Sequence, residues 1–190
     1  MNVTIYYGMS GSLKGTTVDS VKSNYDIVIG SYNKPYIQAS TDLTGKRPSD
    51  LDLALFRLVQ LKNLSNNESV SNLDVVIERG ITDFLESWTS DPQNSLGSSE
   101  LQKYIGLEER YLGKIVGPEG KIRRVLLNMQ DSDFIRDVIL TEPTRLARFP
   151  NLQVYLDRQV RYLEFTKKFN NIESEIIIYD ANSYIENLKK

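Results

Sequence analysis

The chain has 190 residues, 40% hydrophobic and 25% charged, with 23 basic against 25 acidic side chains and a formal net charge of −2. That is enough for one domain with its own core, and it lacks the basic excess of a surface that coats a nucleic-acid polymer. Cysteine and histidine are both absent, which excludes disulfides, thiolate nucleophiles, Cys- or His-ligated metal centres and Ser-His-Asp hydrolysis by this chain's own residues.

In chain order, Val3 to Tyr7 is a short β-branched and aromatic run ending at Gly8. A glycine-bearing turn and a helix over Thr16 to Ser23 follow, then a second strand over Tyr25 to Ile29. Residues 31 to 50 hold Asn33, Pro35, Gly45 and Pro48 and read as a polar loop. Ser49 and Asp50 can cap a helix to about Leu64, with Leu51, Leu53, Leu55, Phe56, Val59 and Leu61 as its apolar stripe. Leu73 to Ile77 is the third strand and Ile81 to Trp88 the next helix. After the polar stretch 89–99, a helix is expected to about Leu112 and a loop from Gly113 to Lys121. Arg124 to Met129 reads as the fourth strand, Asp131 to Leu140 as helix, and Thr141 to Asn151 as an Arg- and Pro-bearing loop. A long helix over Leu152 to Phe169, a fifth strand over Glu175 to Tyr179 and a closing helix over Ala181 to Leu188 complete the chain.

Short, continuously apolar strands that alternate with helices imply a sheet covered on both faces. The expectation is one three-layer α/β domain over 1–190 with a mainly parallel, five-stranded sheet. The start of the chain lacks a basic segment followed by an apolar stretch, and no run of about 18 apolar residues occurs. The expected location is therefore the cytoplasm, with no membrane partner.

The main chemical signal is Gly8-Met9-Ser10-Gly11-Ser12-Leu13-Lys14-Gly15-Thr16-Thr17, between the first strand and the first helix. In that context the pattern is a P-loop: backbone N–H groups at a helix N-terminus wrap a phosphate, where unpaired donors and the helix dipole both favour an anion. Lys14 would reach the β- and γ-phosphates of ATP, and the Thr16 hydroxyl would help to hold Mg²⁺. Gly8 and Gly11 let the backbone turn and approach phosphate closely. Leu13 stands where the usual pattern has glycine; if that position needs a positive φ, leucine costs roughly 1–2 kcal/mol. A plain Gly-Ser turn is the alternative reading.

The segment resembles the P-loop of nucleoside monophosphate kinases, and is most similar to that of the thymidylate kinase and deoxynucleoside kinase group. Glu78-Arg79-Gly80 after the third strand, Arg136 in the helix after the fourth, Arg145 and Arg148 in the following loop, and Asp180-Ala181-Asn182 after the fifth strand stand in that group's order. The resemblance implies a P-loop NTPase fold, an arginine-bearing lid around 136–151, and ATP held by Gly8, Gly11, Ser12, Leu13, Lys14, Gly15, Thr16, Thr17, Asp180 and Ala181. It further implies that Glu78 and Arg79 bind the acceptor, that Thr16 and Glu78 take Mg²⁺, and that Lys14, Arg79, Arg136, Arg145 and Arg148 act in catalysis. Glu78-Arg79 can also be a solvated charge pair, and the three later arginines plain surface residues.

The acceptor implied is a nucleoside monophosphate or a nucleoside. The segment after the second strand, Ile29 to Lys34, holds no carboxylate to deprotonate a sugar hydroxyl. A monophosphate, already an anion, is therefore the first expectation. A nucleoside kinase, a kinase for another acceptor and a non-catalytic nucleotide-binding protein are the alternatives, and a homodimer is compatible with each. Phe84, Trp88 and Tyr104 read first as core, Arg57 as a surface arginine snorkelling from its helix, and Arg158, Gln159 and Arg161 as a solvated helix face.

Overall fold

The computed structural model describes residues 2–9, 12–30, 34–70, 73–89 and 97–170. The expected fifth strand and closing helix lie outside them. In chain order the elements are β1 (Asn2–Gly8), α1 (Lys14–Val21), β2 (Ile27–Ile29), α2 (Lys34–Thr44), α3 (Asp50–Ser65), β3 (Val75–Glu78), α4 (Thr82–Thr89), α5 (Ser98–Val116), β4 (Lys121–Leu127), α6 (Ser132–Phe134, continued as a π turn over Ile135–Ile139), α7 (Pro143–Arg148) and α8 (Leu152–Asn170). No helix among the described residues is long and apolar enough to cross a membrane.

The described strands form one parallel sheet of four in the order β2-β3-β1-β4. Parallel neighbours need crossovers, and here α1, then α2 with α3, then α4 with α5 make them. β1 is the centre: every residue from Val3 to Gly8 is buried. Its side chains alternate between two layers, as strand geometry requires. Val3, Ile5 and Tyr7 pack with Leu61 of α3, Leu112 and Ile115 of α5, and Tyr155 and Tyr162 of α8. Tyr6 packs on the other face with Val18 and Val21 of α1 and with Val76, Val125 and Leu127 of the sheet. A third cluster joins Leu53 and Leu58 of α3, Phe84 and Leu85 of α4, and Leu101 and Ile105 of α5. Phe84 and Tyr104 both belong to this helix-on-helix core, while the Trp88 side chain lies outside what the structure describes.

Several local expectations are corrected. Residues 34–44, read as loop, form α2, and Pro35 stands in its first turn, where the missing N–H costs nothing. Tyr36 of α2 then stacks on Phe56 of α3, ring centroids 4.2 Å apart. The helix expected to stop near Leu112 continues to Val116, because Ile115 and Val116 are pulled into the core; Gly117 at φ 69, not Gly113, ends it. β4 starts at Lys121 and ends at Leu127 rather than spanning 124–129, since its register pairs Asn2 with Lys121 and Gly8 with Leu127. The loop read over 141–151 contains α7, again with proline in the first turn. Ser49 caps α3 as expected, in a reciprocal pair with Asp52.

Polar groups also enter the core. Glu108 of α5 is 1% exposed, and its Oε1 accepts the Ile81 N–H at 2.8 Å. Burial pushes its carboxyl up to about 7 and Glu109 adds to this, while the Ile81 N–H, Arg124 and Arg57 pull the other way. A carboxyl raised above its ordinary 4.5 keeps a proton in the folded protein that the unfolded chain has already released. Stability therefore falls as pH rises through the window between those two values, and is level above it. Glu108→Gln has no proton to lose, so its melting temperature should fall less than the wild type's between about pH 5 and about pH 7.5. Parallel melting profiles would show that Glu108 titrates as it does in a free chain.

Candidate active site

The chain leaves β1 toward β2 on one side and leaves β3 toward β4 on the other. The carboxyl ends of β1 and β3 therefore open a crevice between them, the position at which open α/β sheets bind ligands. The segment 8–17 follows one strand and Glu78-Arg79-Gly80 the other.

Gly8 is a steric necessity: a Cβ there would stand 2.3 Å from Ser12 Oγ and 2.7 Å from the Leu127 carbonyl oxygen. The loop closes through the Ser12 N–H, which donates to the Met9 carbonyl at 3.1 Å. Leu13, at the N-cap of α1, has φ 58 and ψ 23. The position does need the left-handed conformation, and the leucine packs against the central core while it carries that strain. Lys14 is 4% exposed, and its Nζ donates to the carbonyls of Gly8 and Met9, the latter at 2.8 Å. Burial first, then the charges of Arg79 and Arg145, hold its ammonium down to about 7, against Asp83 and Glu78.

The paired threonines divide. Thr17 is 1% exposed and donates its hydroxyl to the Leu13 carbonyl at 3.0 Å, whereas Thr16 is exposed on the first turn of α1. A Cβ on Gly15 would stand at ordinary contact distance, 3.5 and 3.7 Å, from the carboxylate oxygens of Glu78, which therefore lies over the first turn of α1. That carboxylate brings negative charge to the N-terminal end of a helix with no acidic residue in its own first turn. Among the described residues no cluster of three Asp or Glu could enclose a metal ion. Mg²⁺ does not need one, since it binds through one or two carboxylates together with substrate phosphates and water. Thr16 and Glu78 fit that donor set.

Arg79 has φ 72, and its guanidinium carbon stands 5.9 Å from the centroid of the Phe84 ring. Gly80 is glycine because a Cβ would fall 2.4 Å from Tyr7 Cε1. Arg79 lines a cleft with Gly8, Met9, Arg47, Asp50, Asp83, Glu86, Arg148, Phe149, Arg158 and Tyr162. Asp83, 7% exposed, accepts from the Gly8 N–H at 3.2 Å and from the Tyr162 hydroxyl, and burial raises its carboxyl. The same Gly8 N–H lies 3.0 Å from the Tyr162 oxygen. The start of the P-loop is thus tied to both α4 and α8.

The expected lid arginines separate. Arg148 lines the cleft. Arg145 pairs with Glu142 at 2.8 Å and is close enough for its charge to act on Lys14. Arg136 pairs with Asp133 at 3.1 Å, has 59% of its side chain exposed, and is not among the cleft residues. Two readings made from the sequence are reversed. Arg57 is not a snorkelling surface residue but is 2% exposed, and the face read as solvated is not: Arg158 pairs with buried Glu86 at 3.0 Å and buried Gln159 donates to the Met129 carbonyl at 2.8 Å. Asp83 and Tyr162 were not anticipated at all; the polar spacing Arg158, Tyr162, Thr166 along one face of α8 was the signal available. Gly11, Asp180 and Ala181 lie outside the described residues.

No protein-family profile matches the chain. A 75-residue segment is 28% identical to the chaperone protein ClpB of Prochlorococcus marinus, over 40% of this chain and 9% of that protein's length. Solved structures align over nearly the whole chain. Deoxyadenosine kinase from M. mycoides, solved with the products dCMP and dCDP, gives a TM-score of 0.57 at 16% identity, over 99% of this chain and 94% of that one. The YorR protein of Bacillus subtilis, in complex with phosphorylated GDP, gives 0.52 at 14%, over 98% and 93%. Thymidylate kinase from Ehrlichia chaffeensis gives 0.50 at 13%, over 100% and 96%. Identities this low speak to architecture alone, and the architecture of this chain is that of the P-loop kinases.

Proposed function

We propose that the chain is a kinase that transfers the γ-phosphoryl group of ATP to a nucleoside monophosphate. The observation that carries this reading is that Lys14, at the start of α1 after β1, and Arg79, at the end of the adjacent β3, are close enough for their charges to interact, with Arg148 on the cleft that Arg79 lines. The triphosphate would lie on the N-terminus of α1, and Lys14 would exchange its own loop carbonyls for the β- and γ-phosphate oxygens. That exchange returns charge to a side chain that burial now discourages from carrying one. Thr16 and Glu78 would hold Mg²⁺, which when bound neutralises charge between the β- and γ-phosphates. In the transfer an acceptor phosphate oxygen forms a bond to the γ-phosphorus as the bond to the β–γ bridging oxygen breaks, and ADP leaves. A monophosphate oxygen needs no base, and the arginines that line the cleft suit an anionic acceptor.

A nucleoside acceptor is the second reading, favoured by one observation: Asp83, a raised carboxyl in the cleft, could take the proton of a hydroxyl. An acceptor screen with Mg²⁺-ATP across nucleosides and their monophosphates separates the two. Turnover of nucleosides alone would overturn the monophosphate reading, and ATP binding without any turnover would leave a non-catalytic nucleotide-binding protein.

Lys14→Ala should abolish transfer while circular dichroism shows an intact fold; wild-type turnover in that variant would remove the P-loop lysine from the mechanism. Alanine at Arg145 or Arg148 should lower kcat about 10²-fold, with ATP affinity little changed, if that arginine meets the charge of the moving phosphoryl group. Normal kinetics in both variants would place them on an ordinary surface. Arg79→Ala should raise the KM for the monophosphate by about tenfold to a hundredfold and leave ATP binding nearly intact, since a charged hydrogen bond is worth about 1.5–3 kcal/mol. Lysine at position 79 should restore part of this, because it keeps the charge and loses the planar fork. An unchanged KM in Arg79→Ala would exclude it from acceptor binding.

A further inference from the structure

If Arg79 binds the acceptor phosphate, as proposed above, its guanidinium must be delivered to one place. Its backbone is in a left-handed conformation, φ 72, that a non-glycine residue adopts only when its surroundings impose it. The bonds that impose it flank the residue on both sides. Its own N–H donates to the Tyr6 carbonyl at 2.9 Å, which carries the β1–β3 ladder one residue past Glu78. Immediately upstream, the Glu78 carbonyl accepts from Arg57 Nη2 at 2.9 Å, and the same nitrogen donates at 2.6 Å to the Gly30 carbonyl just beyond β2. Downstream, the Ile81 N–H donates to Glu108 Oε1 at 2.8 Å. Gly80, between them, is pressed against the Tyr7 ring.

Arg57 and Glu108 belong to α3 and α5, and both are almost wholly buried. Stability does not account for them. Beyond the bonds just named, Arg57 Nε and Nη1 and Glu108 Oε2 have no hydrogen-bond partner among the described residues. Buried ionisable groups with leftover polar atoms are commonly less stabilising than well-packed apolar side chains of the same size. What the two residues have in common is a hydrogen bond to the backbone beside Arg79, at Glu78 for Arg57 and at Ile81 for Glu108. We infer that Arg57 and Glu108 are positioning residues that clamp the two ends of the Glu78-Arg79-Gly80-Ile81 turn and so aim Arg79 at the acceptor phosphate.

The test is calorimetric titration of the full chain with dAMP, dCMP, dGMP and dTMP separately, and with ATP, on the wild type, Arg79→Ala, Glu108→Ala, Glu108→Gln and the double variant Arg79→Ala/Glu108→Ala. Glu108→Ala is expected to weaken binding of the accepted monophosphate about tenfold and to leave ATP affinity within about twofold. Glu108→Gln, which still offers an oxygen to the Ile81 N–H, should recover most of the loss. In the Arg79→Ala background Glu108→Ala should add little, because a residue that acts through Arg79 has nothing left to aim. Unchanged monophosphate affinity in Glu108→Ala, or full additivity in the double variant, overturns the clamp while Arg79 keeps its role. Wild-type monophosphate affinity in Arg79→Ala, or no monophosphate binding by the wild type, overturns the acceptor reading and the clamp together. Should Glu108→Ala not fold, Arg57→Met carries the same cycle, since it keeps an unbranched side chain but loses the nitrogen that donates to both carbonyls.

Discussion

β1 and β3 lie side by side and parallel, yet the chain leaves them in opposite directions, and the site depends on that constraint. Two segments 70 residues apart in sequence must then emerge at the same end of neighbouring strands. One supplies the N-terminus of α1 with Lys14. The other supplies Glu78, whose carboxylate lies over Gly15, and Arg79 one residue later. The alternation of side chains along a strand does the rest. Tyr7 presses on Gly80 from one face, while in the plane of the sheet the Tyr6 carbonyl accepts from the Arg79 N–H.

Charge is concentrated beneath that crevice. Lys14, Arg57, Asp83 and Glu108 are all buried, and burial is the first cause of the shift in each: down for the two cations, up for the two carboxyls. Burying such a group of ionisable side chains costs free energy that an apolar core would not. The surroundings of each show what the cost is spent on. Lys14 lies on loop carbonyls, Asp83 on the first N–H of the P-loop, and Arg57 and Glu108 on the backbone around Arg79. These side chains act mainly on main-chain groups, and so set the shape of two loops before any ligand arrives.

Strain is placed in the same way. The two described non-glycine residues with positive φ are Leu13 and Arg79, one in each loop. Each costs of order 1–3 kcal/mol, and each is flanked by packing or bonds that hold it. At Leu13 the apolar side chain reaches the central core, so part of the strain is offset by burial that a glycine could not supply. The departure from the usual P-loop pattern is therefore accommodated rather than structurally disruptive.

The sequence by itself determined the parts whose meaning is local. A β-branched run before Gly8 and helical residues after Lys14 were sufficient to place the glycine-bearing loop between β1 and α1. The composition limited the available chemistry, and Ser49 announced the start of α3. Where a boundary was missed, the reason was also local: Pro35 and Pro143 looked like loop markers but stand in the first turns of helices, where proline is tolerated. Tertiary structure alone decided which charged residues meet. Spacing along a helix tells which residues share a face, but not what that face packs against. Arg57 and Arg158 thus looked like solvated arginines, yet Arg57 is buried and Arg158 is tied to buried Glu86, while Arg136, expected in the lid, is exposed and pairs with Asp133. Asp83 and Tyr162 converge on the Gly8 N–H from 75 and 154 residues away. Contacts at such separations arise from how α4 and α8 dock on the sheet, and no periodicity within either helix records that docking.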